Sequence, residues 1–281
     1  MKLIVNEKFS NERALYGLDG YRLDNVKFDG EEDGESALKE CSNIEIFNSA
    51  FHLRYPLWHD DTFLLDNCYF ATTSRAPIWY SNNGTILNTK LEGPKAVREC
   101  IGITIKQSSI ISNEFAWMSK DIFISDSTLE SEYLLLNSKN IKFDHVNFKG
   151  KYSFQYVENV TISSSNLDTK DAFWHAKNVY VKDSVVKGEY LGWYSDGLTF
   201  ENCTITGTQP LCYCKNLKII NCKMIDTDLS FEYSDVDVSV IGDIESIKNV
   251  RSGKIICDNV KEVINEDDKY NGHYELIRRN K

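Results

Sequence analysis

Asn216-Leu217-Lys218-Ile219-Ile220-Asn221-Cys222-Lys223-Met224 repeats the pattern of Asn43-Ile44-Glu45-Ile46-Phe47-Asn48-Ser49-Ala50-Phe51. In both, an asparagine opens the unit, apolar residues alternate with polar ones, and a second asparagine precedes a small residue. Alternation with period two is the signature of a strand with one buried face. Working outward, the second polar position recurs as Asn48, Asn67, Asn88, Gln107, Asp126, His145, Ser164, Asp183, Asn202 and Asn221, in steps of 19, then 21, then 19 throughout.

Constant spacing means that each repeat is one coil stacked on the last, because unequal coils would shift every side-chain column out of register. Nineteen residues hold two or three short strands with tight turns but not a strand plus a full helix. The spacing therefore predicts an all-β parallel β-helix of about ten 19-residue rungs and excludes a doubly wound α/β sheet. One apolar column runs Ile44, Phe63, Ile103, Ile122, Ile141, Val160, Val179, Leu198 and Leu217, the interior of such a coil.

The expected organisation is one domain over 1–281, with 1–20 as an N-terminal cap, 21–264 as coils and 265–281 as a C-terminal cap or tail. Ser10 to Gly17 reads as a short capping helix. An acidic insertion, Glu31-Glu32-Asp33-Gly34-Glu35, interrupts the first coils.

Hydrophobic residues make up 42% of the chain and charged residues 26%, as in an ordinary globular protein. No apolar run approaches the roughly 20 residues of a membrane span, so no membrane partner is expected. The segment Met1-Lys2-Leu3-Ile4-Val5-Asn6-Glu7 lacks the apolar stretch of a secretory signal, so a cytoplasmic location is expected. Eight scattered cysteines then read as reduced core residues, Cys203 and Cys222 stacked one rung apart among them. The net charge of −10, with no basic stripe, speaks against nucleic acid.

Nine residues before each later anchor lies a second column: Trp58, Trp79, Arg98, Trp117, Leu136, Gln155, Trp174, Trp193 and Cys212. It holds all five tryptophans of the chain. The residues just before it are small or apolar, so alternation points the tryptophans outward. With rungs about 4.8 Å apart, Trp174 and Trp193 present neighbouring rings, as sugar-binding clefts do. A flanking loop or partner chain covering the column is the alternative.

Beside it runs a polar column containing Glu114, Asp171 and Asp228. These are three rungs apart, about 14 Å, whereas a glycosidase pair needs roughly 5–9.5 Å. Asp171 with Glu189 on the next rung is the feasible dyad, weighed against two solvated turn carboxylates. His175 shares a column with Tyr156, Tyr194 and Tyr213, a His/Tyr acid–base arrangement or a structural histidine. Arg54, Arg75, Lys95 and Arg98 cluster positive charge that either clamps an anion or pairs with the acidic insertion and Glu114.

The repeats, with Arg54-Tyr55-Pro56-Leu57-Trp58, Asp171-Ala172-Phe173-Trp174, Gly188-Glu189-Tyr190-Leu191-Gly192-Trp193 and Asp228-Leu229-Ser230-Phe231-Glu232-Tyr233-Ser234, resemble an uncharacterised bacterial family of pectin-lyase-like β-helix proteins over nearly the whole chain. That resemblance implies a single-stranded right-handed coil and no established activity. The Asn-Thr-Asp, Gly-His-Gly and Arg-Ile-Lys strings of polygalacturonase-like relatives do not occur, and Asp60-Asp61 and Asp267-Asp268 read as lying outside the regular columns. Glu114 beside Arg98 offers too few ligands for the calcium of a pectate lyase, and no metal or cofactor is expected.

The resulting expectation is a face for an oligo- or polysaccharide lined by Trp58, Trp79, Trp117, Trp174 and Trp193, with Arg98, Glu114, Gln155, Asp171 and Glu189 as polar contacts. Whether the glycan is also cleaved stays open. The competing reading is a non-enzymatic module that uses the same face for homo-oligomerisation.

Overall fold

A computed structural model describes residues 1–31, 34–267 and 272–279. Glu32 and Asp33 of the acidic insertion, Asp268 of the second Asp-Asp pair and part of the expected 265–281 cap or tail lie outside the described residues. No helix occurs among the described residues, and the strands stack in parallel into coils. They form two compact units, Met1–Lys142 and Phe143–Lys281.

In the first unit, Ser42–Phe47, Asp61–Asp66, Asn82–Leu87 and Ile101–Lys106 lie side by side. Ile44 sits over Phe63, Phe63 over Gly84, and Ile103 over Ile122. The expected core column is therefore real, and Gly84 is its one gap. Phe63 closes that gap: a Cβ added at Gly84 would fall 2.1 Å from the Phe63 ring. A second set of short strands carries Phe9, Phe28, Phe51 and Phe70, whose rings stack at 5.7, 4.9 and 4.3 Å. In the second unit Glu158–Ser163, Lys177–Lys182 and Asp196–Glu201 stack in the same manner, with Val160 over Val179 over Leu198.

The polar anchors of the repeat mark where the chain turns. Asn48, Asn67, Asn88, Asn202 and Asn221 all have positive φ, a conformation asparagine tolerates better than most side chains. Their amides bond along the coils as well: Asn67 Nδ2 donates to Asn48 Oδ1 at 2.7 Å, and Asn221 to Asn202 at 2.9 Å. Just inside, buried hydroxyls form a ladder in which Ser108 Oγ accepts the Thr89 N–H and Ser127 Oγ accepts the Ser108 N–H, both at 3.1 Å. Cys222 Sγ takes the same role for the Cys203 N–H at 3.2 Å. This explains why serine, threonine and cysteine interchange at that position: each is small and each supplies an acceptor to a backbone donor that is otherwise buried unpaired. All eight cysteines are buried and free.

Two expectations need correction. The coils number about 14, not ten. Lys2–Val5 already pairs with Tyr21–Asp24, and beyond Val240 the strands Ser252–Cys257 and His273–Arg278 continue the stacking. The first of these coils keeps the 19-residue spacing, with Lys2 opposite Tyr21, but the next coil and the C-terminal ones depart from it: Arg22 lies opposite Glu45, Asp235 opposite Ser252, and Ser252 opposite His273. Residues 10–17 are turns instead of a helix. Their backbone is claimed by the next coil, with Arg13, Leu15 and Gly17 donating to the carbonyls of Glu35, Ala37 and Lys39, which leaves no i to i−4 ladder to form.

Candidate functional site

The lateral face is built from segments in which every second residue has positive φ: Asp171, Phe173 and His175 on one coil, Tyr190, Gly192 and Tyr194 on the next, Gln209, Leu211 and Tyr213 after that. Successive N–H groups pair with opposite neighbours, Phe173 with the preceding coil and His175 with the following one. The chain therefore stays hydrogen-bonded while it bends, and two adjacent side chains turn inward together. Ala172 and Phe173 are both fully buried, as are Leu211 and Cys212. Strict strand alternation does not hold here, and the consequences fall on the tryptophan column.

In the first unit Trp58, Trp79, Arg98 and Trp117 occupy consecutive rungs and are half-buried. Trp58 and Trp79 stack at 6.0 Å, 14° from parallel. The Arg98 guanidinium lies between two indoles, 5.7 Å from the Trp79 ring and 5.3 Å from the Trp117 ring. Its charge is met by Glu114 at 3.4 Å and Glu99 at 3.6 Å, and Lys95 reaches Glu114 at 3.6 Å. Arg54 pairs with Glu35 of the acidic insertion at 3.3 Å. Arg54, Lys95 and Arg98 of the positive cluster are thus paired within the chain.

Arg98 serves as a planar spacer between two rings, which the compact ammonium of lysine does not reproduce. Arg98→Lys is expected to lower stability by about 1 kcal/mol, measured by urea unfolding of the whole chain. A variant as stable as the parent would show that the sandwich contributes nothing.

In the second unit Gln155, Trp174 and Trp193 follow one another. Trp174 and Trp193 stack at 5.5 Å and 7°, so each ring covers the face its neighbour would have offered to a sugar. Their N–H groups are taken as well: Trp174 Nε1 donates to the Tyr190 carbonyl at 2.6 Å and Trp193 Nε1 to the Gln209 carbonyl at 2.9 Å. Gln155 Nε2 makes the equivalent bond to the Asp171 carbonyl at 3.0 Å, and Trp117 in the first unit does so to the Tyr133 carbonyl at 2.9 Å. These four residues of the column act as staples, each pinning its coil to the next. In Trp58 and Trp79 the Nε1 atoms are buried without such a partner, and the Tyr55 ring lies tilted against both, at 5.8 and 6.0 Å.

The outermost aromatics lie one residue further along. Tyr156, His175, Tyr194 and Tyr213 stack at 4.8, 5.1 and 4.7 Å, all within 11° of parallel. Tyr156 is 53% exposed and Tyr194 48%. Tyr233 extends the row at 5.7 Å, tilted by 35°. The shared column of His175 with three tyrosines was visible in the sequence; that it lies outside the tryptophans was not. In the first unit His59 and Tyr80 stack in the corresponding place at 5.0 Å.

Asp171 and Glu189 do come together across adjacent coils, where the Asp171 N–H donates to the Glu189 carbonyl at 3.0 Å. Their carboxyl groups differ in setting. Asp171 is only 7% exposed; burial raises its pKa above the usual carboxylate range, opposed by Lys170 and reinforced by Glu189. Glu189 is exposed and pairs with Lys170 at 2.8 Å. His175 is held between Tyr156 and Tyr194 in the outer row.

One acidic residue was misplaced by the sequence reading. Asp60 does not lie outside the columns. It stands in a second internal hydroxyl ladder, between Cys41 and Ser81, where it accepts the Cys41 N–H at 2.6 Å and its own N–H reaches Ser81 Oγ at 3.1 Å. Asp61 belongs to the strand Asp61–Asp66, opposite Ser42 and Asn82.

Among solved structures, the chain is similar to PfbA, a surface adhesin of Streptococcus pneumoniae, with 9% identity, a TM-score of 0.34, and coverage of 98% of this chain and 82% of that one. An alginate lyase from Paenibacillus sp. str. FPU-7 matches with 10% identity, a TM-score of 0.38, and coverage of 97% and 98%. The mannuronan C-5 epimerase AlgE4 A-module of Azotobacter vinelandii matches with 10% identity, a TM-score of 0.31, and coverage of 97% and 85%. No curated protein matches. A family profile spans residues 2–277, and the chain belongs to that family, described as Protein of unknown function (DUF3737).

Proposed function

We propose that the outer aromatic row of the second unit binds an uncharged glycan chain laid along the coil axis. The observation that carries this reading is the near-parallel stack of Tyr156, His175, Tyr194 and Tyr213, of which the first three are exposed and Tyr213 is half-buried. Because stacking occupies the ring faces, what the row offers outward is edges: one phenolic hydroxyl or imidazole per rung, each able to donate and accept a hydrogen bond. An extended polymer with hydroxyls at regular intervals matches such a row better than a compact ligand. The net charge of −10 disfavours polyanions.

The row itself supports binding; cleavage would fall to Asp171, whose burial raises its pKa as a general acid needs, and to Glu189, exposed and paired with Lys170 at 2.8 Å.

Trp193 lies edge-on to Tyr194 and Tyr213, at 80° and 71°, and therefore reports on the row. Titration with neutral and uronic-acid oligosaccharides, followed by tryptophan fluorescence with molar mass measured in parallel, tests the reading. The expected result is a saturable change with neutral chains that Tyr194→Ala removes. A flat response across the panel from a stable dimer would overturn it and assign the row to contact between copies.

A further inference from the structure

We propose that Asp60 is carried inside the first unit as a neutral carboxylic acid, whose Oδ2 hydroxyl plays the donor part that serine and cysteine play on the neighbouring rungs. Its ionisation would then loosen the coils beneath Trp58 and Trp79.

The ladder makes the role explicit. Cys41, Asp60, Ser81, Cys100, Ser119 and Ser138 follow one another, one per coil, and all are buried. The serines of this column accept an N–H from the preceding coil and donate to carbonyls, and the cysteines donate to carbonyls. Ser119 Oγ accepts the Cys100 N–H and donates to the Val97 and Trp117 carbonyls at 3.2 and 3.1 Å. Ser138 Oγ accepts the Ser119 N–H and donates to the Ala116 carbonyl at 2.7 Å. Ser81 Oγ accepts the Asp60 N–H and donates to the Trp79 carbonyl at 3.1 Å.

Asp60 reproduces the accepting half through Oδ1 and the Cys41 N–H. Its Oδ2 is buried and meets no donor. By the pattern of the column, a hydrogen on Oδ2 would go to a backbone carbonyl, as the Ser81 hydroxyl goes to the Trp79 carbonyl. An ionised carboxylate can only accept, so a charged Asp60 would bury a full charge with the Cys41 N–H on Oδ1 and no donor on Oδ2.

The ionisable groups around Asp60 do not supply a counter-charge. The Cys41 thiol and the Glu40 carboxylate come from the preceding coil, and the Cys100 thiol from two coils on. Lys39 lies over the Trp58 ring, 4.6 Å from its centre, and pairs with Glu40 at 3.7 Å. His59, next in the chain, is exposed and stacks on Tyr80. Burial pushes the Asp60 carboxyl well above the usual carboxylate range; the Cys41 N–H pulls it down and Glu40 adds to the rise.

The sign follows from linkage. A carboxyl whose folded pKa exceeds its unfolded value, about 3.9, binds its proton more tightly when folded. Its stabilising effect is complete below that unfolded value and is lost as pH rises towards the folded one. Relative to a variant without the group, the wild-type folding constant falls by up to about tenfold per pH unit across that window. The comparison belongs between pH 4.5 and pH 8, because Cys41 and Cys100, raised to about 12 by burial, add their own alkaline sensitivity once pH passes the free-thiol value of about 8.5.

The test uses the full chain, with urea midpoints read for wild type, Asp60→Ser, which restores the residue type of the column, and Asp60→Asn, which keeps the shape with a permanent donor. The wild-type midpoint should fall relative to both variants as pH rises, and infrared difference spectra against Asp60→Ser should show a carboxylic-acid C=O stretch at pH 7. Parallel pH profiles, or the absence of that band from a folded wild type, would overturn the proposal. If Asp60→Ser does not fold, the Asp60→Asn profile and difference spectrum decide it alone.

Discussion

Replacing Gly84 by isoleucine, the residue that fills its column on several other coils, should destabilise the first unit by about 3 kcal/mol, at the upper end of what overpacking a core costs. The backbone at Gly84 is not in the left-handed region, so the effect is one of space alone. Three Phe63 ring atoms lie within 2.6 Å of where the new Cβ would stand, and Phe63 is itself 3% exposed with nowhere to swing. The two positions are opposite each other in the strand register, so one coil carries a double-sized side chain and the next carries none.

The same geometry predicts a rescue. Phe63→Ile alone leaves a void above Gly84 and should cost about 2 kcal/mol. Phe63→Ile combined with Gly84→Ile restores the ordinary column and should be within about 1 kcal/mol of wild type, so the coupling between the two sites is large and favourable. Urea unfolding followed by circular dichroism measures the totals, and hydrogen exchange along the strands Asp61–Asp66 and Asn82–Leu87 localises them. Additive losses in the double variant would show that the two residues do not share one space.

The second large effect concerns Trp193, and it separates stability from recognition. Trp193→Ala removes the stack on Trp174 at 5.5 Å, edge contacts to Tyr190 and Tyr213 at 5.5 Å each, and the bond to the Gln209 carbonyl at 2.9 Å. For a half-buried indole the expected loss is about 3 kcal/mol, the low end for Trp→Ala. Tyr194→Ala, one residue on and 48% exposed, should cost within about 1 kcal/mol. If both variants unfold at the same urea concentration, the division between a packed tryptophan column and an open tyrosine row is wrong. Glycan binding is therefore best tested at Tyr194, where a lost signal is not confounded by a loosened coil.

The order of these columns was only half legible. From the sequence, the nine-residue offset placed all five tryptophans on one face, and residues just before them, Leu57, Ile78, Ala116 and Phe173, are indeed fully buried. Alternation then implied that the tryptophans were the outermost layer. In a flat strand that inference would hold. Here each segment bends through alternate positive-φ residues, which draws the tryptophans partly inward and leaves His175 and Tyr194 outermost. Phenylalanine, tyrosine, histidine and leucine all occupy these left-handed positions, although such residues seldom adopt them, so composition carried no warning of the bend.

Asp60 shows the same division. It stands one regular period after Cys41, a signal that was present, but an acidic residue in an internal column contradicts the usual rule that carboxylates face water. Only the stacked coils, with Asp60 between Cys41 and Ser81, show that the column wants an acceptor and a donor, which a protonated carboxyl supplies.

The sequence by itself determined the coil, its parallel stacking and its core columns, because equal spacing leaves no other way to bury the same position of every repeat together. The tertiary structure decided where the outer coils of unequal length end, that Arg98 is neutralised by Glu114 and Glu99, and which aromatic row meets solvent. Those outcomes depend on the sign of φ at each turn and on partners a whole coil away, and neither is written in the local order of residues.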